Sequence, residues 1–179
     1  MEHMLLRMFQ RQVLLQCDFV LMAAIEFDVA NRATETQRVF YVVQNILNAA
    51  ANISKALWGS GGKLGEQRKP LRDSIGVSDD SPLHAVAMRN NYEHFDERLD
   101  DWWEKSQEHH FADLNIGPAE DITAFGPLNT FRSIDSDTAD LIFWGDRFNV
   151  LDLVREVRRI RPKVAAEAEK HHWPREPSA

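Results

Sequence analysis

The chain has one cysteine, Cys17, so no internal disulfide can form, and this usage fits a reducing, cytoplasmic compartment. Cys17 lies inside an apolar run and reads as a small buried hydrophobe, not a reactive thiol. No apolar run reaches the roughly 20 residues that span a bilayer, and Met1-Glu2-His3 is not a cationic signal-peptide start. No membrane partner is therefore expected. Basic residues are the minority: 21 Lys and Arg stand against 28 Asp and Glu, a net charge of −7. That balance excludes a surface that is basic all over, as a general nucleic-acid binder needs, and leaves room for a local basic groove. Metal-ligand spacing is missing too. Glu108-His109-His110 and His171-His172 lack paired cysteines and the H-E-x-x-H order, so they read as polar segments, and neither a metal nor a cofactor is expected.

What is present is helical periodicity. A chain of 179 residues with 44% hydrophobic content suits one domain, assigned to residues 1–172, with 173–179 as a flexible tail rich in proline. Residues 3–31 contain no Gly or Pro and place Leu6, Phe9, Val13, Cys17, Val20, Ala24 and Phe27 on one seam. Leu5, Met8, Leu15 and Met22 add apolar surface elsewhere, which suits a central helix or one that also serves an oligomer interface. Residues 35–58 carry a second seam, Val39, Val43, Ile46, Ala50, Ile53 and Leu57, and end at a glycine-rich stop, with Thr34 as the expected N-cap. Gly59-Ser60-Gly61-Gly62 follows a helix and lacks the G-x4-G-K-[ST] order, so residues 59–78 read as a charged connector with at most one helical turn. Residues 130–134 and 140–144 flank an Asp/Ser turn and predict a small β-hairpin. Asn149 caps a last helix over 150–172, which Pro162 is expected to kink or interrupt. That helix holds the densest basic cluster, including Arg155, Arg158 and Arg159. It reads either as a solvated face or as an RNA-backbone contact. The fold class expected is all-α, an up-down bundle of four to five helices with a small β-hairpin before the last one.

The stretch Ser81–Lys105 organises the rest. Asp79, Asp80 and Ser81 offer N-cap oxygens, Pro82 suits a first helical position, and the remainder of the stretch holds no glycine. On one continuous helix Met88, Tyr92, Phe95, Leu99, Trp102 and Trp103 share a core-facing stripe. Asn90, His94, Glu97 and Asp101 lie opposite, with Arg89 on the flank. Arg89 and His94 would stand about 140° apart on such a helix, so one copy presents them poorly to one phosphate and a two-fold pair of copies presents them well.

Arg89-Asn90-Asn91-Tyr92-Glu93-His94 is an R-N-x3-H pattern, and here the chain resembles the HEPN superfamily, whose members carry R-x4-6-H with a polar residue after the arginine. Requiring four intervening residues and Asn after Arg lowers the chance expectation to about 0.03, which makes the match worth pursuing. The resemblance implies a helical bundle that dimerises about the motif helix and cuts RNA without metal in a cleft between protomers. Arg89 and His94 then carry the chemistry, with Asn90 orienting His94. It further implies a toxin–antitoxin or defence setting, with an antitoxin or a nucleotidyltransferase-type protein as partner. The toxin branch modified by such a nucleotidyltransferase has H-x-Y, and Asp96 stands at that position, so the tyrosine acceptor is missing. The alternative is a non-catalytic HEPN-like binding or regulatory module, in which Arg89 pairs with Glu93 and His94 with Glu97 as ordinary helix-surface contacts.

Overall fold

The computed structural model describes residues 1–84, 86–123, 126 and 129–171. In chain order the helices are α1 (His3–Arg32), α2 (Thr36–Trp58), α3 (Gly62–Ile75), α4 (Met88–Glu93) and α5 (Phe95–Lys105). Then come strand β1 (Asn115–Gly117), helix α6 (Ala119–Thr123), strands β2 (Arg132–Asp135), β3 (Asp140–Phe143) and β4 (Asp146–Asn149), and helix α7 (Val150–Ala168). His172 and the expected tail 173–179 lie outside the described residues. Among the described residues, no helix is long and apolar enough to cross a membrane.

Helix α1 packs along α2 and α7, and the three share the core. Val13, Cys17 and Val20 are buried on α1, as is the whole α2 seam from Val39 to Leu57. Burial pushes the Cys17 thiol up to about 12, so it stays protonated inside this seam. At the α1–α2 junction the expected cap is absent: Glu35 takes the N-cap position, and Thr34 adopts a positive φ of 56° with its hydroxyl donating to the Ala33 carbonyl. At the other junction, Asn149 Oδ1 accepts the Asp152 amide at 2.8 Å and caps α7. Pro162 does not interrupt α7. It lies on the exposed face, so the carbonyl it leaves without an amide faces water, while Val157, Ile160 and Val164 hold the helix to the core.

The all-α expectation is contradicted. The fold is mixed α/β, with seven helices and a four-stranded mixed sheet among the described residues. The expected hairpin is β2–β3, antiparallel, pairing Ser133 with Ile142. It is extended on both sides. β1 adds a parallel strand pairing Ile116 with Ile134, and β4 adds an antiparallel one pairing Phe143 with Asp146. The β3–β4 turn is the two residues Trp144 and Gly145, both at positive φ (45° and 92°), the geometry that follows strand twist in a tight hairpin. Phe131, Ile134, Leu141 and Phe143 turn one sheet face into the helical core, which satisfies the requirement that a small sheet be covered.

The connector reading of 59–78 is also corrected, because α3 fills most of it. Arg72 explains why so polar a segment folds. Its guanidinium is buried, donates to the carbonyls of Leu57 and Gly65 at 2.8 Å each, and meets Asp79 at 3.0 Å. These contacts satisfy carbonyls at the end of α2 and tie α3 to it. Tertiary contacts therefore override the low helix propensity of the glycines and Pro70.

The β2–β3 turn yields a pH test. Asp135 accepts hydrogen bonds from the Asp137 amide at 3.0 Å and the Thr138 hydroxyl at 2.9 Å, with Arg147 at 3.7 Å. Led by the Asp137 amide, these hold its carboxyl below the ordinary 3.8. A depressed carboxylate stabilises the fold above its ordinary value and loses that contribution as pH falls through the folded one. Asp135→Ala should lower the Tm at pH 7, and the gap to wild type should narrow below about pH 4. Parallel Tm curves from pH 7 to 3 would show that the charged turn contributes nothing.

Candidate active site

The stretch expected as one helix from Ser81 is three pieces. Ser81 does not cap a helix: its hydroxyl donates to Glu156 on α7 at 2.8 Å and accepts the Leu83 amide at 3.3 Å. Buried Leu83 and Val86 pin this segment to the core, and helix begins only at Met88. Helix α4 then ends at His94, whose φ of −103° and ψ of 38° leave the helical region, and α5 starts at Phe95. Asn90-Asn91-Tyr92 propagates helix poorly, whereas Asp96 and Glu97 suit a first turn, where carboxylates meet the positive end of the helix.

The break undoes the continuous stripe. Met88, Tyr92 and Trp102 are buried as expected, but Phe95 and Trp103 are 50% and 61% exposed. Tyr92 seats α4 on the sheet. Its ring lies 5.3 Å from that of Phe143, which lies 4.7 Å from Phe131. Burial pushes the Tyr92 phenol well above its ordinary range.

The three motif residues now occupy a short segment at the break. His94 has a half-exposed side chain, and its Nδ1 lies 3.2 Å from a Glu97 carboxylate oxygen. With Nδ1 so engaged, Nε2 is the ring nitrogen left for other partners. Asn90 contributes its backbone carbonyl, which accepts the His94 amide at 2.9 Å; the side chain that meets the ring is that of Glu97. Arg89 forms an ion pair with Glu93 one turn on, with its side chain mostly covered. The 140° separation drawn for a continuous helix no longer applies, because the backbone changes direction at His94 itself.

Beside the motif runs a groove of about 500 Å³ between α4, the start of α5 and β4. Asn90, Asn91 and Arg98 line one side, and Asp146, Arg147 and Phe148 the other. Buried Asn91 ties them together: its Nδ2 donates to Asp146 at 3.0 Å, and its Oδ1 accepts Arg98 Nε at 3.3 Å. Sequence reasoning missed Arg98, Asp146 and the groove. The contact between Asn91 and Asp146 crosses 55 positions and exists only because the Trp144-Gly145 turn brings β4 back beside α4.

The basic cluster lies elsewhere. Helix α7 packs against α1, α3 and β3, whereas α4 packs against α2, α5 and β4. Arg155 pairs with Asp152 at 2.8 Å, and Arg159 is held by both oxygens of Glu156 and by the Gly76 carbonyl at 3.1 Å. Arg158 lines a separate cavity with Arg155, Phe27 and Asp28. No contact joins these arginines to Arg89 or His94 among the described residues. The Glu108–His110 segment is exposed and its contacts are to its own neighbours: His109 lies against Trp103, with ring centroids 3.9 Å apart, and meets its carbonyl at 3.1 Å. Among the described residues no three His, Cys, Asp or Glu side chains gather as a metal-ligand set. No protein-family model, curated protein or solved structure matches the chain.

Proposed function

We propose that the chain is a HEPN-type endoribonuclease that cuts RNA without metal at the cleft of a homodimer, in a toxin–antitoxin or defence setting. The observation that carries the reading is the half-exposed His94 at the helix break, braced through Nδ1 by Glu97 and five residues from Arg89. Nε2 removes the proton of a ribose 2′-hydroxyl, the 2′-oxygen attacks the adjacent phosphorus, and the 5′-oxygen leaves with a proton from a second imidazole. In a dimer that second imidazole is His94 of the other copy. Arg89 neutralises the developing phosphorane charge through its planar fork after exchanging Glu93 for phosphate. The internal 2′-hydroxyl is the nucleophile, so no metal-activated water is required.

Exposed apolar side chains support self-association. Phe95 stands next to His94, and Phe19, Met22, Ile25 and Val29 run along α1 beside Tyr41 of α2. A second reading, a non-catalytic HEPN-like binding or regulatory module, is favoured by the Arg89–Glu93 ion pair, which occupies the guanidinium, and by the His94–Glu97 contact, the two pairs that reading expects. An RNA pool incubated in EDTA separates the two. Wild type is expected to sediment as a dimer at micromolar concentration and to cut the pool. Arg89→Ala should lose roughly 10²-fold or more in rate, and Arg89→Lys should recover little because the planar fork is gone. Cutting that depends on added Mg²⁺, or full activity in folded Arg89→Ala, would remove this assignment.

A further inference from the structure

We infer that the groove between α4, α5 and β4 is a subsite for the backbone phosphate of single-stranded RNA one nucleotide from the cut, with Arg98 as the residue that binds it. The inference rests on the ribonuclease reading. Its starting point is an unusual guanidinium. Arg98 Nε is spent on Asn91 Oδ1 at 3.3 Å, while its two Nη groups meet no carboxylate among the described residues. In a chain of net charge −7, most other arginines near this face are neutralised: Arg89 by Glu93, Arg132 by Asp113 at 2.5 Å, and Arg147 by Asp140 and Asp135 at 3.5 and 3.7 Å. Arg98 is the exception on the groove wall.

The side chain is also held in place. Asn91 is buried, and its amide orientation is fixed from both ends: nitrogen to Asp146, oxygen to Arg98. The one carboxylate lining the groove, Asp146, is therefore engaged by Asn91, and the Arg98 fork is oriented in advance for a planar, anionic oxygen pair. Asn90 adds an exposed amide on the same wall, and Phe148 gives the opposite wall an apolar surface for a ribose or base. Distance suits the assignment. Arg98 follows His94 by four residues, one helical turn or about 6 Å along the α5 axis, which is the span of a single nucleotide. The charged group on the wall, Arg98, meets a phosphate that every nucleotide carries, so its contact reads backbone and not sequence.

The test uses the full chain and a fluorescein-labelled 2′-O-methyl RNA 12-mer, which retains every phosphate and cannot be cut, in an anisotropy titration from low to moderate NaCl. Arg98→Gln removes the charge but keeps a donor for Asn91, and Arg98→Lys keeps the charge. Arg98→Gln should bind about tenfold more weakly, with the slope of log K against log[salt] smaller by about 0.7, the value of one single-strand phosphate. Arg98→Lys should keep the wild-type slope, and 12-mers of different base sequence should behave alike. On a cleavable RNA, Arg98→Gln should raise KM more than it lowers kcat. Wild-type affinity and slope in a folded Arg98→Gln would overturn the subsite while leaving the ribonuclease reading in place. A loss of affinity with no change in slope would also overturn it, because a lost phosphate contact must lower the salt dependence. A wild type that neither binds nor cuts RNA would end the ribonuclease reading and the subsite together.

Discussion

His94→Ala is expected to abolish RNA cutting while leaving the fold almost untouched. In the proposed reaction the imidazole supplies the proton transfers at both the 2′-hydroxyl and the leaving 5′-oxygen, and removing a positioned acid–base group costs roughly 10² to 10⁴ in rate. Because in the proposed dimer one residue serves both steps, the loss should lie toward the upper end of that range. Stability should change little. The side chain is half exposed, its one side-chain hydrogen-bond partner among the described residues is a surface carboxylate of Glu97, and it is not part of the core cluster. Exposed polar contacts of this kind are worth about 0 to 1 kcal/mol. A thermal melt run beside the cleavage assay therefore separates catalysis from folding. Equal cutting by a folded His94→Ala protein would end the assignment of chemistry to this residue.

Phe143→Ala should have the largest effect on stability, and it should reach the site as well. Phe143 is fully buried on β3 and lies between Phe131 of the sheet-side core and Tyr92 of α4. Truncating a buried phenylalanine costs about 3 to 5 kcal/mol, from lost transfer energy and from the cavity left behind. For a domain of this size that corresponds to a Tm lower by about 10 °C. The cavity opens under Tyr92, the residue that seats α4, so Asn91 and the Arg98 groove lose their support and RNA cutting should fall even at temperatures where the variant is folded. A Tm within about 3 °C of wild type would mean that sheet and helices do not share one core.

The comparison of sequence with structure divides along contact range. Helices α1, α2 and α7 were legible because each carries a full apolar seam that needs only local periodicity to be seen. The β2–β3 hairpin was legible from its β-branched and aromatic flanks around an Asp/Ser turn. Helix α3 was not, because its stability depends on one buried arginine bonded to carbonyls of Leu57 and Gly65, while its own composition reads as loop. Strands β1 and β4 are three and four residues long, and their pairing partners lie across turns and loops. The Trp144-Gly145 pair between two strand-like runs was the one local signal for β4.

For the site, the sequence supplied Arg89, Asn90 and His94 but drew them on an unbroken helix. Asn90-Asn91 followed by Asp96-Glu97, weak helix formers and then first-turn carboxylates, was the local sign of a helix end and a new start. Arg98 carries no local mark in the sequence. Its standing depends on Asp146 holding Asn91 from across the sheet, which no window of the sequence contains. On α7 the relation is local: Arg155 and Arg159 pair with Asp152 and Glu156, neighbours at three-residue spacing that the sequence itself displays.

The chemistry assigned to His94 and Arg89 leaves a signature on the products. In-line attack by the 2′-oxygen yields fragments ending in a 2′,3′-cyclic phosphate on one side and a 5′-hydroxyl on the other, with EDTA present throughout. The most direct measurement is mass spectrometry of the RNA termini produced by the wild-type chain in EDTA. Cyclic phosphate and 5′-hydroxyl ends that disappear with His94→Ala are the result predicted. Ends bearing a 3′-hydroxyl and a 5′-phosphate, which require attack by water, or no cleavage of any RNA by the folded protein, would contradict it.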